Sequence, residues 1–340
     1  STGQSPLKKL LEAVVVNTKM GTPTEQQVDN YFSGINLLFS GSPPAYMQVH
    51  ALFNDAYTQL SAIAMARKNQ TPPPPSEAIE ALRMRAALMP EPVRSMVEDL
   101  VAQGRAQGMV AERANMSADL KPLQDICMRT VSKRYPIQSG SSADILIEDF
   151  TRLFGPNGIA EQFFNTRLAP LVDMGTTPWR YKQSKGSAGA SAVALAQFQR
   201  ATRIREVYFS GGKTSPAFDV DMKLVGSSNP NDAFYLDNDG TLLMFSMQFD
   251  PRHTVKWKPQ SLGGVLKTRV SNGAERTFSG PWALFRLLDT AKIQAGERPE
   301  LFKASFTQDG KRFDFEVFAN SAFNPLRLPE LRQFRCPGDL

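Results

Sequence analysis

Phe218-Asp219-Val220-Asp221-Met222-Lys223-Leu224 carries an apolar residue at every second position and a charged residue between each pair. Successive side chains of a strand point to opposite faces, so this stretch predicts a β-strand with one buried and one solvated side. The pattern recurs downstream. Phe245, Met247 and Phe249 alternate with Ser246 and Gln248, and Val255 and Trp257 alternate with Thr254, Lys256 and Lys258. Phe302, Ala304 and Phe306 lead into Gln308-Asp309-Gly310, and Phe313, Phe315 and Val317 follow. Two alternating runs around Asp-Gly predict a hairpin, and Asn238-Asp239-Gly240 and Asn272-Gly273 supply two more turns of that kind. One helix interrupts the strands: Ser279 or Gly280 is its predicted cap, Pro281 lies near the first helical position, and Trp282, Leu284, Phe285 and Leu288 form its buried face.

Upstream of about residue 210 the apolar period is helical. Val49, Leu52, Phe53, Ala56, Leu60, Ile63 and Ala64 fall on one stripe. The run Pro72 to Pro75 predicts a stiff connector, with Ser76 as the cap of the next helix, which carries Ile79 and Leu82. Val93, Met96, Val97, Leu100 and Val101 mark another helix, which Gly104 and Gly108 are expected to interrupt or loosen, and Asp119 to Ser132 reads as a further one. Leu146, Phe150, Leu153 and Phe154 form the next stripe, which Gly155, with its access to a left-handed cap, and Pro156 stop; Asn157 is the predicted cap of a short helix bearing Ile159, Phe163 and Phe164. Gly186 to Gly189 is a small-residue loop before a last helix from about Ser191 to Arg205. The predicted fold class is therefore α+β, an N-terminal all-helical region followed by a mostly antiparallel, β-sandwich-like domain with one packed helix. The expected regions are 1–137 and 138–210, both helical, and 211–340, rich in strand.

Composition narrows the function classes. Hydrophobic residues at 41 % and charged residues at 21 % fit a globular protein, and no apolar run reaches the roughly 18 residues of a membrane span. There is no signal-peptide pattern, and the chain opens Ser1-Thr2-Gly3, which reads as a piece of a longer protein. A formal charge of +6 and a pI near 9.3 invite a nucleic-acid reading, but the basic residues are dispersed among acids rather than clustered. Nucleic acid is not expected. Cys127 and Cys336 form no CxxC or Cys/His cluster, so zinc is unsupported; one disulfide and two buried thiols are both open readings.

A search for reactive groups finds none that its surroundings support. Gly212-Lys213-Thr214 ends like a phosphate-binding loop, but the required first glycine is Val207, so a turn is expected. His50 and His253 are the only histidines, and no Gly-x-Ser-x-Gly elbow accompanies them. Asp219 and Asp221 share a strand face opposite Phe218 and Val220, where they read as solvated acids rather than a glycan-cleaving pair. No catalytic residue, cofactor or metal ligand is assigned.

Three segments carry a resemblance: Asp149-Phe150-Thr151-Arg152-Leu153-Phe154-Gly155-Pro156-Asn157-Gly158 with Gln162-Phe163-Phe164 and Leu168 to Asp173; Gly280-Pro281-Trp282-Ala283-Leu284-Phe285-Arg286-Leu287-Leu288-Asp289; and Asn324-Pro325-Leu326 through Phe334-Arg335-Cys336-Pro337. They resemble the IcmF/TssM family of type VI secretion systems over roughly Asp149 to Pro337. Trp257-Lys258-Pro259-Gln260 departs from the Trp followed closely by Pro-Gly expected in that family. The resemblance implies a non-enzymatic periplasmic segment of an inner-membrane protein, in an oligomeric envelope-spanning channel. It also implies partners: the outer-membrane lipoprotein TssJ, bound by the β-rich end, and the inner-membrane TssL. A peptidoglycan-binding or wall-hydrolysing domain is the alternative. Gly280, Pro281, Trp282, Phe285, Arg286 and Leu288 are read as a structural motif. Partner contacts are expected on strand edges and loops, at Ser227, Ser228, Asn229, Asn231 and Asp232 within the loop 226–232, and at Phe323, Asn324, Leu326 and Arg327 within 323–328.

Overall fold

The computed structural model describes residues 6–18, 30–69, 71, 77–91, 93–182, 191–249, 251–259 and 263–338. The proline run 72–75, Ser76, the loop 186–189 and Gln260 lie outside them. Contacts divide the chain into Ser1–Ala118 and Asp119–Leu340.

The first unit holds helices α1 (Pro6–Thr18), α2 (Ser33–Phe39), α3 (Ala45–Asn69) and α4 (Glu77–Ala86), with the start of α5 (Val93–Thr130). Ala56 and Ile63 of α3, Ile79 and Leu82 of α4, and Val93, Val97 and Val101 of α5 share one core, as their helical spacing dictates. The first turn of α4 has an orphan donor satisfied from another helix: Ile79 N–H donates to Gln59 Oε1 at 3.1 Å. Glu80 is held below the usual carboxylate range, chiefly by its hydrogen bond from Arg105.

Gly104 and Gly108 do not interrupt α5, and the expected separate helix from Asp119 is its continuation through Pro122. The physical reason for Gly104 is close approach: a Cβ there would meet Ile79 Cδ1 at 2.8 Å and Leu60 Cδ2 at 3.3 Å. Gly104→Val is therefore expected to lose about 1–3 kcal/mol by overpacking, read as a lower urea midpoint in helix-sensitive circular dichroism. A midpoint equal to wild type would remove packing as the reason for that glycine.

In the second unit, α6 (Ile147–Phe154), α7 (Ile159–Phe163), a π-helical turn at Phe164–Leu168 and α8 (Ala192–Tyr208) precede the strands. A short hairpin of β1 (Val172–Asp173) and β2 (Arg180–Tyr181) sits between them. Several local expectations shift. Leu146 is the exposed cap residue of α6 and Ile147 takes its place on the buried face. Gly155 is not left-handed; Asn157 is, at φ +57°, and Gly158 occupies the cap position of α7. Asn157 instead donates its N–H to Glu161 at 2.7 Å.

Nine further strands form two sheets: β3 (Phe218–Ser227), β4 (Ala233–Asn238), β5 (Thr241–Ser246), β6 (Arg252–Trp257), β7 (Val265–Val270), β8 (Arg276–Ser279), β9 (Lys292–Ala295), β10 (Leu301–Gln308) and β11 (Lys311–Ala319). All pairs are antiparallel, in the orders β6-β3-β11-β10-β9 and β5-β4-β7-β8. Their apolar faces meet: Phe234 of β4 packs on Phe306, Phe313 and Phe315 at 5.3–5.8 Å between ring centroids, and Phe245 packs edge-on to Phe315. One polar pair lies inside this sandwich, where Thr268 donates to Gln308 at 2.9 Å and Gln308 donates back to the Thr268 carbonyl. Each satisfies the other, which a buried polar group requires. Asp239-Gly240 and Asp309-Gly310 both have positive φ, the turn geometry their sequence demands. The strand expected through Phe249 stops at Ser246, because β4 begins at Ala233 and offers no partner beyond it; Phe249 is 79 % exposed. Helix α9 (Ala283–Asp289) starts later than expected, with Pro281 and Trp282 in the preceding turn and no side-chain cap. A last short helix, α10 (Pro329–Gln333), leads to the tail.

Candidate partner-binding surfaces

The motif Gly280 to Leu288 is a staple between α9, the segment before α6, and the sandwich. Trp282 is fully buried and its indole N–H donates to the Ile145 carbonyl at 2.7 Å. Its ring meets Trp257 at 5.1 Å, Phe150 at 5.1 Å and Phe285 at 5.2 Å. Trp257 in turn donates to the Pro281 carbonyl at 3.0 Å. Gly280 has φ +96° and lies against the Asp144 carboxylate, so an L side chain there meets both backbone strain and a clash. Arg286 pairs with that same carboxylate, donates to the Ser141 carbonyl at 3.1 Å, and stacks over Tyr135 at 4.1 Å. Arg332 from α10 covers the same ring at 4.9 Å and bonds Asp289, which accepts from the Tyr135 hydroxyl at 2.7 Å. Burial, then the Asp289 carboxylate, push the Tyr135 phenol far above its ordinary range, so it remains a neutral donor. Leu288 is buried beside Phe285 on α9. These residues hold elements together, with their polar atoms turned toward one another.

The two segments expected to meet a partner lie at opposite ends of the five-stranded sheet. Ser227 pairs with Phe313 at the start of β11, whereas Asn324 bonds the Val317 carbonyl near its end. Ala319 lies six positions beyond Phe313, roughly 20 Å along the strand. A register shift between Asp314 and Phe315 marks a bulge that turns β3 into the first loop. There Ser227 Oγ donates to the Asn229 carbonyl at 2.9 Å, Asn231 N–H donates to Asn229 Oδ1 at 3.1 Å, and Ser228 Oγ accepts from Arg312 N–H at 3.1 Å. Ser228, Asn229 and Asn231 are exposed on a loop thus set in one shape. Asp232 corrects the expectation: it is 8 % exposed and accepts from Lys311 Nζ at 2.8 Å, so its charge supports the loop from beneath.

Asn324 is a second correction. At 2 % exposure it donates to the Glu300 and Val317 carbonyls at 2.9 and 3.2 Å and caps Leu326 N–H, a clamp on its own segment. Phe323 is half-buried under the Arg203 guanidinium at 4.7 Å, Leu326 is half-buried, and Arg327 is exposed. Leu326 and Arg327 line a cleft of about 380 Å³ whose other walls come from α9, Ile293 of β9, and Pro329 to Arg332. Neither the cleft nor the Arg286–Asp144–Tyr135 node has a local sequence signature.

The residues weighed for chemistry are accounted for by neighbours. Asp221 accepts from Arg252 and from Thr254 at 2.6 Å across the β3–β6 ladder, and Asp219 is exposed on the same face. His253 bonds the Met244 carbonyl at 2.8 Å, His50 bonds Asn54 at 3.2 Å, and Gly211 and Gly212 form a turn after α8. Cys127 and Cys336 are joined as a disulfide with Cα atoms 5.7 Å apart, which decides between the two readings left open.

Residues 220–321 match the family model described as the type VI secretion protein IcmF C2-like domain. Type VI secretion system component TssM1 of Pseudomonas aeruginosa is 29 % identical over 358 residues, covering 98 % of this chain and 32 % of that protein. The chain thus spans less than two thirds of that relative's length. A chain of a solved type VI secretion system membrane core complex superposes with a TM-score of 0.72 at 17 % identity, over 98 % of this chain and 74 % of that one. The TssM C-terminal domain from EAEC gives a TM-score of 0.51 at 18 % identity, over 64 % of this chain and 96 % of that one. Joined to the motif segments and the antiparallel sandwich, these likenesses make residues 220–321 an IcmF C2-like domain of the type VI secretion kind, in a chain similar to TssM1 along 98 % of its length.

Proposed function

We propose that this chain is a structural and binding component of the type VI secretion membrane core complex, spanning the periplasm and binding the outer-membrane lipoprotein TssJ through its β-rich domain. The inner-membrane TssL and further copies of the chain are the other partners in this reading. The observation that carries it is the likeness to TssM1 along 98 % of the chain. The Cys127–Cys336 disulfide adds support, since structural disulfides persist in oxidising compartments such as the periplasm. No helix among the described residues is long and apolar enough to cross a membrane, which suits a segment lying between two membranes.

Within the β-rich domain, the exposed residues Ser228, Asn229 and Asn231 at one end of the sheet and Leu326 and Arg327 at the other are the proposed contacts. Co-purification of the chain with the matching lipoprotein is the test. Capture of a stoichiometric complex is expected, weakened about tenfold or more when both segments are changed to alanine, as for loss of a small hot-spot cluster. No capture by the wild-type chain overturns the partner, and unchanged capture by the double-segment variant overturns the placement.

A further inference from the structure

On one side the sandwich seals its own edges. Strands β5 and β6 end their respective sheets, but His253 bonds the Met244 carbonyl and Asn238 donates to the Lys256 carbonyl at 2.8 Å, so side chains cover the backbone there. At the other end of the five-stranded sheet, β9 has no neighbouring strand on its outer side among the described residues. Gly296 N–H donates to the Leu301 carbonyl, and Ala295 and Ile293 lie opposite Phe302 and Ala304. Bonded and non-bonded pairs alternate along an antiparallel ladder. The peptide groups of Ile293 and Ala295 therefore face away from β10.

The 380 Å³ cleft opens beside this edge. Leu288, Ile293, Leu326 and Leu328 line it, with Asp289, Arg327 and Arg332 among the polar groups. Arg332 is already engaged by Asp289 and by the Pro136 carbonyl at 2.6 Å. Arg327 is exposed and has no ion pair among the described residues. Residues 1–118 contain ten Lys or Arg and ten Asp or Glu, so the formal charge of +6 belongs to residues 119–340, on which the cleft lies.

We propose that the cleft takes an extended, acidic peptide segment of a partner protein, which adds to the β9 edge through the outward peptide groups of Ile293 and Ala295 and sets a carboxylate against Arg327. The inference rests on reading the β-rich domain as a partner-binding module. Strand addition supplies main-chain hydrogen bonds, and alternate side chains of the added segment enter the apolar part of the cleft. One free guanidinium beside four aliphatic side chains suits a peptide carboxylate better than a phosphate, which draws several cations. A second copy paired edge to edge through the same groups would set Ile293 against Ala295 and Lys292 against Gly296, and that strand carries no carboxylate to meet Arg327.

The probes are labelled, blocked hexapeptides of sequence Val-Thr-Val-Asp-Val-Thr and its Lys-for-Asp counterpart, titrated with the full chain by fluorescence anisotropy. The Asp peptide is expected to bind about three- to fivefold more tightly than the Lys peptide, the worth of one partly exposed ion pair. Arg327→Glu reverses that order. Ala295→Pro removes an outward N–H while sparing the bonds to β10, and it abolishes binding of both peptides with an unchanged melting curve. Arg327→Glu, at an exposed position, keeps the test decisive should the proline variant misfold. No binding of the Asp peptide up to millimolar concentration, an order unaltered by Arg327→Glu, or a wild-type dimer that Ala295→Pro dissociates would each overturn the proposal. Lipoprotein capture is scored separately, so either result can fail without the other.

Discussion

Opening the Cys127–Cys336 bond lowers the thermal midpoint of residues 119–340 by about 5–15 °C, the largest shift expected from any single bond in this chain. The bond closes a loop with a sequence separation of 209. The loop-entropy relation gives an upper value of about 5 kcal/mol for such a loop, and measured disulfides more often contribute about 2–4 kcal/mol. At about 2–4 °C per kcal/mol for a unit of this size, the stated range follows. The tail it holds is already packed: Phe334 is buried against Phe154 at 4.8 Å, Arg335 N–H donates to Gln197 at 2.8 Å, and Gln124 donates to the Pro337 carbonyl at 3.2 Å. Those contacts survive reduction, so the expected result is a less stable fold rather than an unfolded one. Wild type treated with a reductant, with two free thiols verified by titration, should melt near Cys336→Ser, and the variant should ignore the reductant. A fully reduced wild type with an unshifted midpoint would show that the linkage constrains nothing the fold does not already fix.

How much of this architecture could be read from the residues depends on how local each cause is. Alternation found β3, β6, β10 and β11, because each has one face against aromatic rings and one against water. The Asp-Gly turns at 239–240 and 309–310 were legible because positive φ is a property of those residues themselves. Strand β4 was not, since Ala233-Phe234-Tyr235-Leu236 is apolar throughout and breaks alternation, although Tyr235 lies half-buried on the face opposite Phe234 and Leu236, beneath the Arg269 guanidinium. Gly104 misled for the opposite reason: its helix-breaking tendency is local, but the approach of Ile79 that requires it is not. Among the site residues, Trp282 and Phe285 were identifiable as core from helical spacing, whereas the burial of Asp232 and Asn324 depends on Lys311 and on the Glu300 and Val317 carbonyls. Short polar residues at turns look alike whether they face a partner or clamp their own backbone. A disulfide between cysteines so far apart leaves no trace in either one's neighbourhood.

Trp282→Ala should cost about 3–5 kcal/mol, and more than Trp282→Phe by a margin that identifies its role. The alanine leaves a cavity among Trp257, Phe150 and Phe285 and strips the Ile145 carbonyl of its donor. The phenylalanine refills most of that volume and loses chiefly the hydrogen bond, about 1–2 kcal/mol for a buried acceptor left alone. Both variants can be read by fluorescence, because Trp179, Trp257 and Trp282 all lie in residues 119–340 and none in 1–118. In a urea titration the midpoint should fall in the order wild type, phenylalanine, alanine, with the slope unchanged if the denatured chain is the same. Such a result makes the Gly280–Leu288 motif a device that fixes the segment before α6 to the sandwich. An alanine variant within about 1 kcal/mol of wild type, below the range of about 3–5 kcal/mol for a buried Trp-to-Ala change, would mean that the indole is not the anchor and that the motif is kept for a surface it presents.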